Sequence, residues 1–216
     1  MVITIDGPSG VGKSTVTRAV AAEYGFDFLD TGAMYRAATV AALEAGVPLD
    51  DSQAVADVVL KSDIRYVDGA ILLDGRDVSD AVRADEVTGA VSAVSAIPEV
   101  RHRLVGFQRE WVVKRNGNAV VEGRDIGTVV FPDAEAKIFL TARPEVRSAR
   151  RAGDAEAANL STHAIETKLR ERDFRDSTRA ISPLHAAEDA VVIDTSDLSL
   201  AEVVSRVLEV VAASRC

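Results

Sequence analysis

The sequence is poor in the features that mark secreted, membrane-bound or multidomain proteins. Cys216 is its only cysteine, so no disulfide can form within the chain, and the composition suits a reducing compartment. There is no long hydrophobic run near the start: Val2 to Ile5 meets Asp6-Gly7-Pro8 well short of the roughly 20 apolar residues that a membrane helix needs. A cytoplasmic protein with no membrane partner is expected. Positive charge is also scarce. A net charge of −9 argues against nonspecific nucleic-acid binding, which requires excess Lys and Arg to neutralise phosphates. No internal repeat, low-complexity tract or Pro/Ser-rich linker interrupts the 216 residues, so a single domain spanning 1–216 and a monomer are expected.

The apolar residues, 47% of the chain, suffice for one sizeable core, and they are grouped informatively. Val2-Ile5, Phe26-Leu29, Ala119-Val121, Lys137-Leu140 and Val191-Ile193 are short apolar runs alternating with longer amphipathic stretches. This alternation implies an α/β fold with a mainly parallel sheet. One segment departs from it. Ile64-Val67, Ile71-Leu73 and Arg76-Val78 are β-forming runs separated by Asp68-Gly69 and Asp74-Gly75, the dipeptides that favour tight hairpins. A three-stranded antiparallel insertion follows, read either as a movable flap or as a surface hairpin. Helical patterning returns from about Val82 to Ser95. It restarts after Pro98 through Val100, Leu104, Phe107 and Trp111, ending near Asn116-Gly117.

The chemistry is carried first by Gly7-Pro8-Ser9-Gly10-Val11-Gly12-Lys13-Ser14, which fits G-x-x-x-x-G-K-[ST] between a strand and a helix. Such a loop turns backbone N–H groups onto the phosphates of ATP or GTP. Lys13 is then expected on the β- and γ-phosphates and the Ser14 hydroxyl on Mg²⁺. A kinase also needs a second anion site. Three clusters are candidates: Asp30-Thr31-Gly32-Ala33-Met34-Tyr35-Arg36, Glu122-Gly123-Arg124-Asp125, and Arg172 to Arg179. The first two follow strands, where ligand crevices of parallel sheets open. Each also has a plain structural reading, namely a helix cap, a loop ion pair and a self-paired helical stripe. Between Arg143 and Arg179 lie nine basic residues against seven acidic ones, in an otherwise acidic chain. That excess fits a cationic wall beside an anionic substrate as well as a salt-bridged helix pair.

Together with Ile126-Gly127-Thr128-Val129-Val130-Phe131-Pro132-Asp133-Ala134 and Pro183-Leu184, these blocks make the chain resemble the bacterial cytidylate kinases over essentially its whole length. The resemblance implies a five-stranded parallel sheet flanked by helices, with the antiparallel β insertion inside a nucleotide-binding region of about 31–98 and a short lid of about 147–159. It implies transfer of the γ-phosphoryl group of ATP to CMP or dCMP, with Mg²⁺. Carried onto this sequence, Gly7 through Thr15 (Gly7, Pro8, Ser9, Gly10, Val11, Gly12, Lys13, Ser14, Thr15) would hold ATP. Thr31, Ser92, Arg109 and Asp125 would recognise the nucleoside, Arg36, Arg124 and Arg179 would clamp its phosphate, and Arg172 with Asp176 would contact the sugar. Lys13 and the lid arginines Arg147 and Arg151 would neutralise the migrating group. Two rivals remain open on the sequence. One is a kinase acting on an alcohol, for which Asp30 is the evident base, and the other is a noncatalytic nucleotide-dependent regulator.

Overall fold

A computed structural model describes residues 1–153 and 161–214. The chain divides into two compact units, Met1–Leu29 with Trp111–Cys216, and Asp30–Glu110.

The first unit is built on a parallel sheet. Its strands are β1 (Val2–Asp6), β2 (Asp27–Asp30), β6 (Ala119–Gly123), β7 (Ala136–Thr141) and β8 (Val191–Asp194), in the order β2-β6-β1-β7-β8. Central β1 pairs in parallel with β6 and β7, Ile3 lying opposite Val120 and Ala136. Its burial does not alternate because both faces are covered: the consecutive residues Ile3, Thr4 and Ile5 are all fully buried, as are Val120 and Val121 on β6. Helix α1 (Lys13–Tyr24) contributes Val16 and Val20 to that core, and α8 (Leu200–Ala213) contributes Val203, Val207 and Val211 at fourfold spacing. Gly25, with φ of 65°, stops α1 by turning its N–H back onto the Ala21 and Ala22 carbonyls. Ser199 and Glu202 form a reciprocal capping box that starts α8. Two more helices, α6 (Pro144–Ala152) and α7 (Thr162–Thr178), follow β7. All five expected strands are present, each shifted or lengthened by at most two residues at an end.

The second unit contains α2 (Thr31–Glu44), α3 (Ser52–Lys61), the hairpin strands β3 (Ile64–Val67), β4 (Ala70–Leu73) and β5 (Arg76–Asp77), and α4 (Asp85–Val94). Helix α5 (Pro98–Val113) begins here. The three strands form one antiparallel sheet, as the two Asp-Gly pairs imply. Asp68, Gly69, Asp74 and Gly75 all have φ between 50° and 82°. Positive φ at both central residues defines the tight turn whose twist matches its strands. Alanine-rich α2 is buried nearly all round, with Ala37, Ala38 and Ala42 fully enclosed. The nucleotide-binding insertion expected at about 31–98 falls inside this unit.

Candidate active site

At the end of β1 the chain turns into α1 through Gly7 to Gly12. Gly7 has φ of 145°, and a Cβ there would lie 2.1 Å from the Leu140 carbonyl oxygen of β7, so only glycine fits where the loop leaves the sheet. Lys13, the first residue of α1, is buried, and its ammonium donates to the carbonyls of Gly7 at 2.8 Å and Pro8 at 2.7 Å. Burial, and then the neighbouring guanidinium groups of Arg124 and Arg172, push this ammonium down from 10.5 to about 7, against the pull of Glu122 and Asp6. A lysine so crowded by cations is electrostatically suited to an anion. Next to it, Ser14 is half-buried and Thr15 exposed.

Further basic groups of this unit stand on the loop after β6, on α6 and on α7. Asp125 is 4% exposed and precedes a wide helical turn, Ile126–Val130, closed by bonds from the Val130 and Phe131 N–H groups to the Asp125 and Ile126 carbonyls. Its carboxylate lies 3.6 Å from the Arg179 guanidinium, which also donates to the Ser182 carbonyl. Arg124 donates from Nε to Asp176 at 3.1 Å. Asp176 and Arg179 on the α7 side therefore pair with the loop after β6, whereas the exposed Arg170 and Arg175 pair along the helix with Glu166 and Glu171. Arg147, buried on α6, donates to the Ser9 carbonyl of the phosphate loop at 3.2 Å and to Asp173 of α7. Sequence reasoning missed its Asp173 partner and the adjacent brace, in which Arg150 donates to Thr195 at 2.9 and 2.7 Å. Arg151 is half-buried in the last turn of α6. The remainder of the expected lid, 154–159, lies outside the described residues.

In the second unit Asp30 caps α2. One carboxylate oxygen accepts the Ala33 N–H at 3.0 Å, and the other accepts from Arg36 at 3.0 Å. Gly32 makes room for this arrangement, since a Cβ there would lie 3.0 Å from Asp30 Oδ1 and 3.1 Å from Arg36 Nη1. Both oxygens of Asp30 are thus engaged, which counts against its serving as a general base. Thr31 is buried as the first residue of α2, and Ser92 is buried on α4. The Ser92 carbonyl accepts from the Ser95 hydroxyl, and the Ser95 carbonyl accepts from Arg101 Nη1 at 3.1 Å. Arg101 is 4% exposed, and its guanidinium sits 5.3 Å over the Tyr35 ring.

One expected residue stands apart from the buried stripe of its helix. Arg109, taken as a nucleoside-recognising residue, is exposed on α5. The buried stripe of this helix is Val100, Arg101, Leu104, Gln108 and Val112. Two polar residues stand on it, while Phe107 and Trp111 are only half-buried and carry Arg103 and Arg115 over their rings. A helix read through Val100, Leu104, Phe107 and Trp111 leaves Arg101 unmarked. The available signal was spacing, since Arg101 falls one turn before buried Leu104.

Residues 3–213 match the family model for cytidylate kinase. The chain belongs to the cytidylate kinase family. It is 50% identical over 214 residues to a cytidylate kinase of Mycobacterium leprae (strain Br4923), covering 98% of this chain and 95% of that one. It is 46% identical over 217 residues to one from Carboxydothermus hydrogenoformans, covering 98% and 97%. Among solved structures it resembles a gluconokinase from Sinorhizobium meliloti 1021, with TM-score 0.51 and 17% identity over 98% of this chain and 91% of that one. A protein called TT1252 from Thermus thermophilus gives TM-score 0.52 at 20% identity, covering 99% and 96%. At these identities the structural likenesses speak to the fold alone.

Proposed function

We propose that this family member transfers the γ-phosphoryl group of ATP to the phosphate of CMP or dCMP, giving CDP or dCDP. The observation that carries this reading is the crowd of cations around one phosphate loop, where Arg124 and Arg172 depress the Lys13 ammonium although burial is the larger cause. An ATPase needs one such anion site. A kinase whose acceptor is itself a phosphate needs a second set of cations, to which Arg124 and Arg179 of this unit would contribute.

The roles follow from the chemistry of each group. Gly7 to Thr15 would hold the donor triphosphate, with Lys13 on its β- and γ-phosphates. The Ser14 hydroxyl would help hold Mg²⁺. Among the described residues no cluster of three acidic, His or Cys side chains could hold a metal unaided. This suits an ion that takes most of its ligands from nucleotide phosphates and water. When bound, Mg²⁺ supplies charge neutralisation at the transferring phosphates. Arg36, Arg124 and Arg179 would clamp the acceptor phosphate, and Arg172 and Asp176 the sugar. A nucleoside monophosphate is already largely ionised near neutral pH, so no general base is required, and catalysis reduces to alignment and charge stabilisation. The cap and ion pair at Asp30 agree with this and disfavour an alcohol acceptor.

For the base, Asp125 would accept from the exocyclic amine of cytosine and Arg101, in place of Arg109, would donate to its O2 and N3; Thr31 and Ser92 keep their expected part in nucleoside recognition. Uracil presents a carbonyl instead of that amine, leaving the carboxylate facing an acceptor at a cost of about 1–3 kcal/mol. The test is ADP release measured with CMP, dCMP, UMP, AMP, GMP and shikimate as acceptors. CMP and dCMP are expected to be turned over at least about 10-fold more efficiently than UMP, and equal efficiency on UMP would defeat the cytosine reading.

A further inference from the structure

The last residue of β1 is an acid with no place in the scheme above. Asp6 is 5% exposed and directly precedes the phosphate loop. Its carboxylate is spent on a different loop. Oδ1 accepts the N–H of Ile126 at 2.9 Å and Oδ2 accepts the N–H of Gly127 at 2.8 Å. These are the two peptide groups that follow Asp125, at the start of the wide turn. One carboxylate thereby joins the residue before Gly7 to the residues after the base-reading carboxylate.

The turn is also held from its other side. A Cβ on Gly127 would lie 2.9 Å from the Thr4 hydroxyl and 3.3 Å from Cδ of Lys137, so it packs against β1 and β7. The Lys137 ammonium in turn donates to the Pro132 carbonyl and, at 2.7 Å, to Asp189. With that wall fixed, the Asp6 bonds set where the turn begins, and hence where Asp125 and Arg124 stand. Burial raises the Asp6 carboxyl from 3.8 to about 6, against the opposing pull of the Gly127 and Ile126 N–H groups and of Lys13. An apolar residue at this interior position would avoid that cost, so the geometry of the two bonds is what the acid supplies.

We infer that Asp6 is a positioning residue for acceptor selection: its carboxylate fixes the Asp125 turn to the root of the donor loop, so that base reading depends on it. The inference rests on the proposed cytidylate acceptor. In Asp6→Asn one oxygen remains to accept an N–H, while the amide NH₂ opposes the other N–H and displaces the turn.

The experiment compares kcat/KM for CMP and for UMP in the wild type and in Asp6→Asn, together with the affinity for a nonhydrolysable ATP analogue alone. In the variant the CMP-over-UMP ratio is expected to fall at least about 5-fold and the KM for CMP to rise about 10-fold, with analogue affinity held within about 3-fold. A merely structural role would lower the active fraction and scale both acceptors equally, and an unchanged ratio overturns the inference while leaving the proposed function standing. A wild type inert toward CMP would overturn both. Should the variant not fold, amide exchange in the wild type decides: the Ile126 and Gly127 N–H groups are expected to exchange at least about 10-fold more slowly than those of the neighbouring exposed loop residues, and rapid exchange at both overturns the inference.

Discussion

The two units of this chain handle charge in opposite ways. Among the described residues the first unit buries Asp6, Lys13, Glu122, Asp125, Lys137, Arg147 and Asp176, whereas Arg101 is the one buried charged side chain of the second. In the first unit burial, and after it the influence of neighbouring polar and charged groups, moves an ammonium to about 7 and a carboxyl to about 6. In the second, the Arg101 guanidinium meets a carbonyl and an aromatic face, in a unit whose other buried polar groups are neutral, Thr31, Ser92 and Ser95 among them. Opposed charges held under tension suit the handling of phosphates, whose own charge relieves that tension. A cation among neutral hydrogen-bonding groups suits contact with an uncharged ring.

The contrast can be broken most severely at Lys13. Lys13→Met is expected to lower kcat roughly 10³-fold, read as ADP release at saturating CMP. Without nucleotide the ammonium is about half deprotonated near pH 7, and bound phosphates would raise it again. ATP binding to the wild type should therefore take up roughly half a proton near that pH, measured by calorimetry in buffers of different ionisation enthalpy, and Lys13→Met should show none of it.

Asp6 sharpens the same contrast through stability. Its folded carboxyl titrates above its unfolded value of 3.8, so the stabilisation it contributes is complete below that value and is lost as pH rises through about 6. Urea unfolding of the wild type relative to Asp6→Asn should accordingly lose about 2–3 kcal/mol between pH 4 and pH 7, since each tenfold loss of acidity on folding is worth about 1.4 kcal/mol. A difference independent of pH would show that the acid is not strained by burial.

In the second unit, Arg101→Ala should raise the KM for CMP about 10- to 100-fold, as expected for a charge-assisted bond worth about 1.5–3 kcal/mol. Arg109→Ala should change it less than about 2-fold. Reversal of these two results would restore Arg109 to the site. The smallest effect belongs to the hairpin: Gly69→Ala, at φ of 82°, should cost about 1 kcal/mol of stability by thermal unfolding. If KM for CMP rises as well, the hairpin acts as more than a surface decoration.

The sequence was most readable where local chemistry decides the structure. Two Asp-Gly pairs specify their turns because positive φ at consecutive positions admits few residues, and the phosphate loop follows from glycines that lie against a neighbouring strand. Apolar runs marked the central strands β6, β1 and β7 because both of their faces are covered, so burial there does not alternate. Legibility failed on α5, where Arg101 and Gln108 occupy the face that hydrophobic counting assigns to apolar side chains. It failed again at Asp6 and Asp173, whose partners come from distant parts of the chain. No spacing rule connects Asp6 to Gly127 or Arg147 to Asp173, since only the folded sheet brings them together.

The order of the strands also dictates an order of assembly. β1 precedes every other strand in the chain, yet Val2 must wait for Ala119, and Ile3 for Ala136, before its backbone groups find their partners. The hairpin, closed by two-residue loops, needs no such delay, and close-range pairing forms faster than pairing across long loops. On the ribosome, the hairpin has all three of its strands while β1 still lacks both neighbours, so the pairing edges of β1 stay open until β6 and β7 emerge.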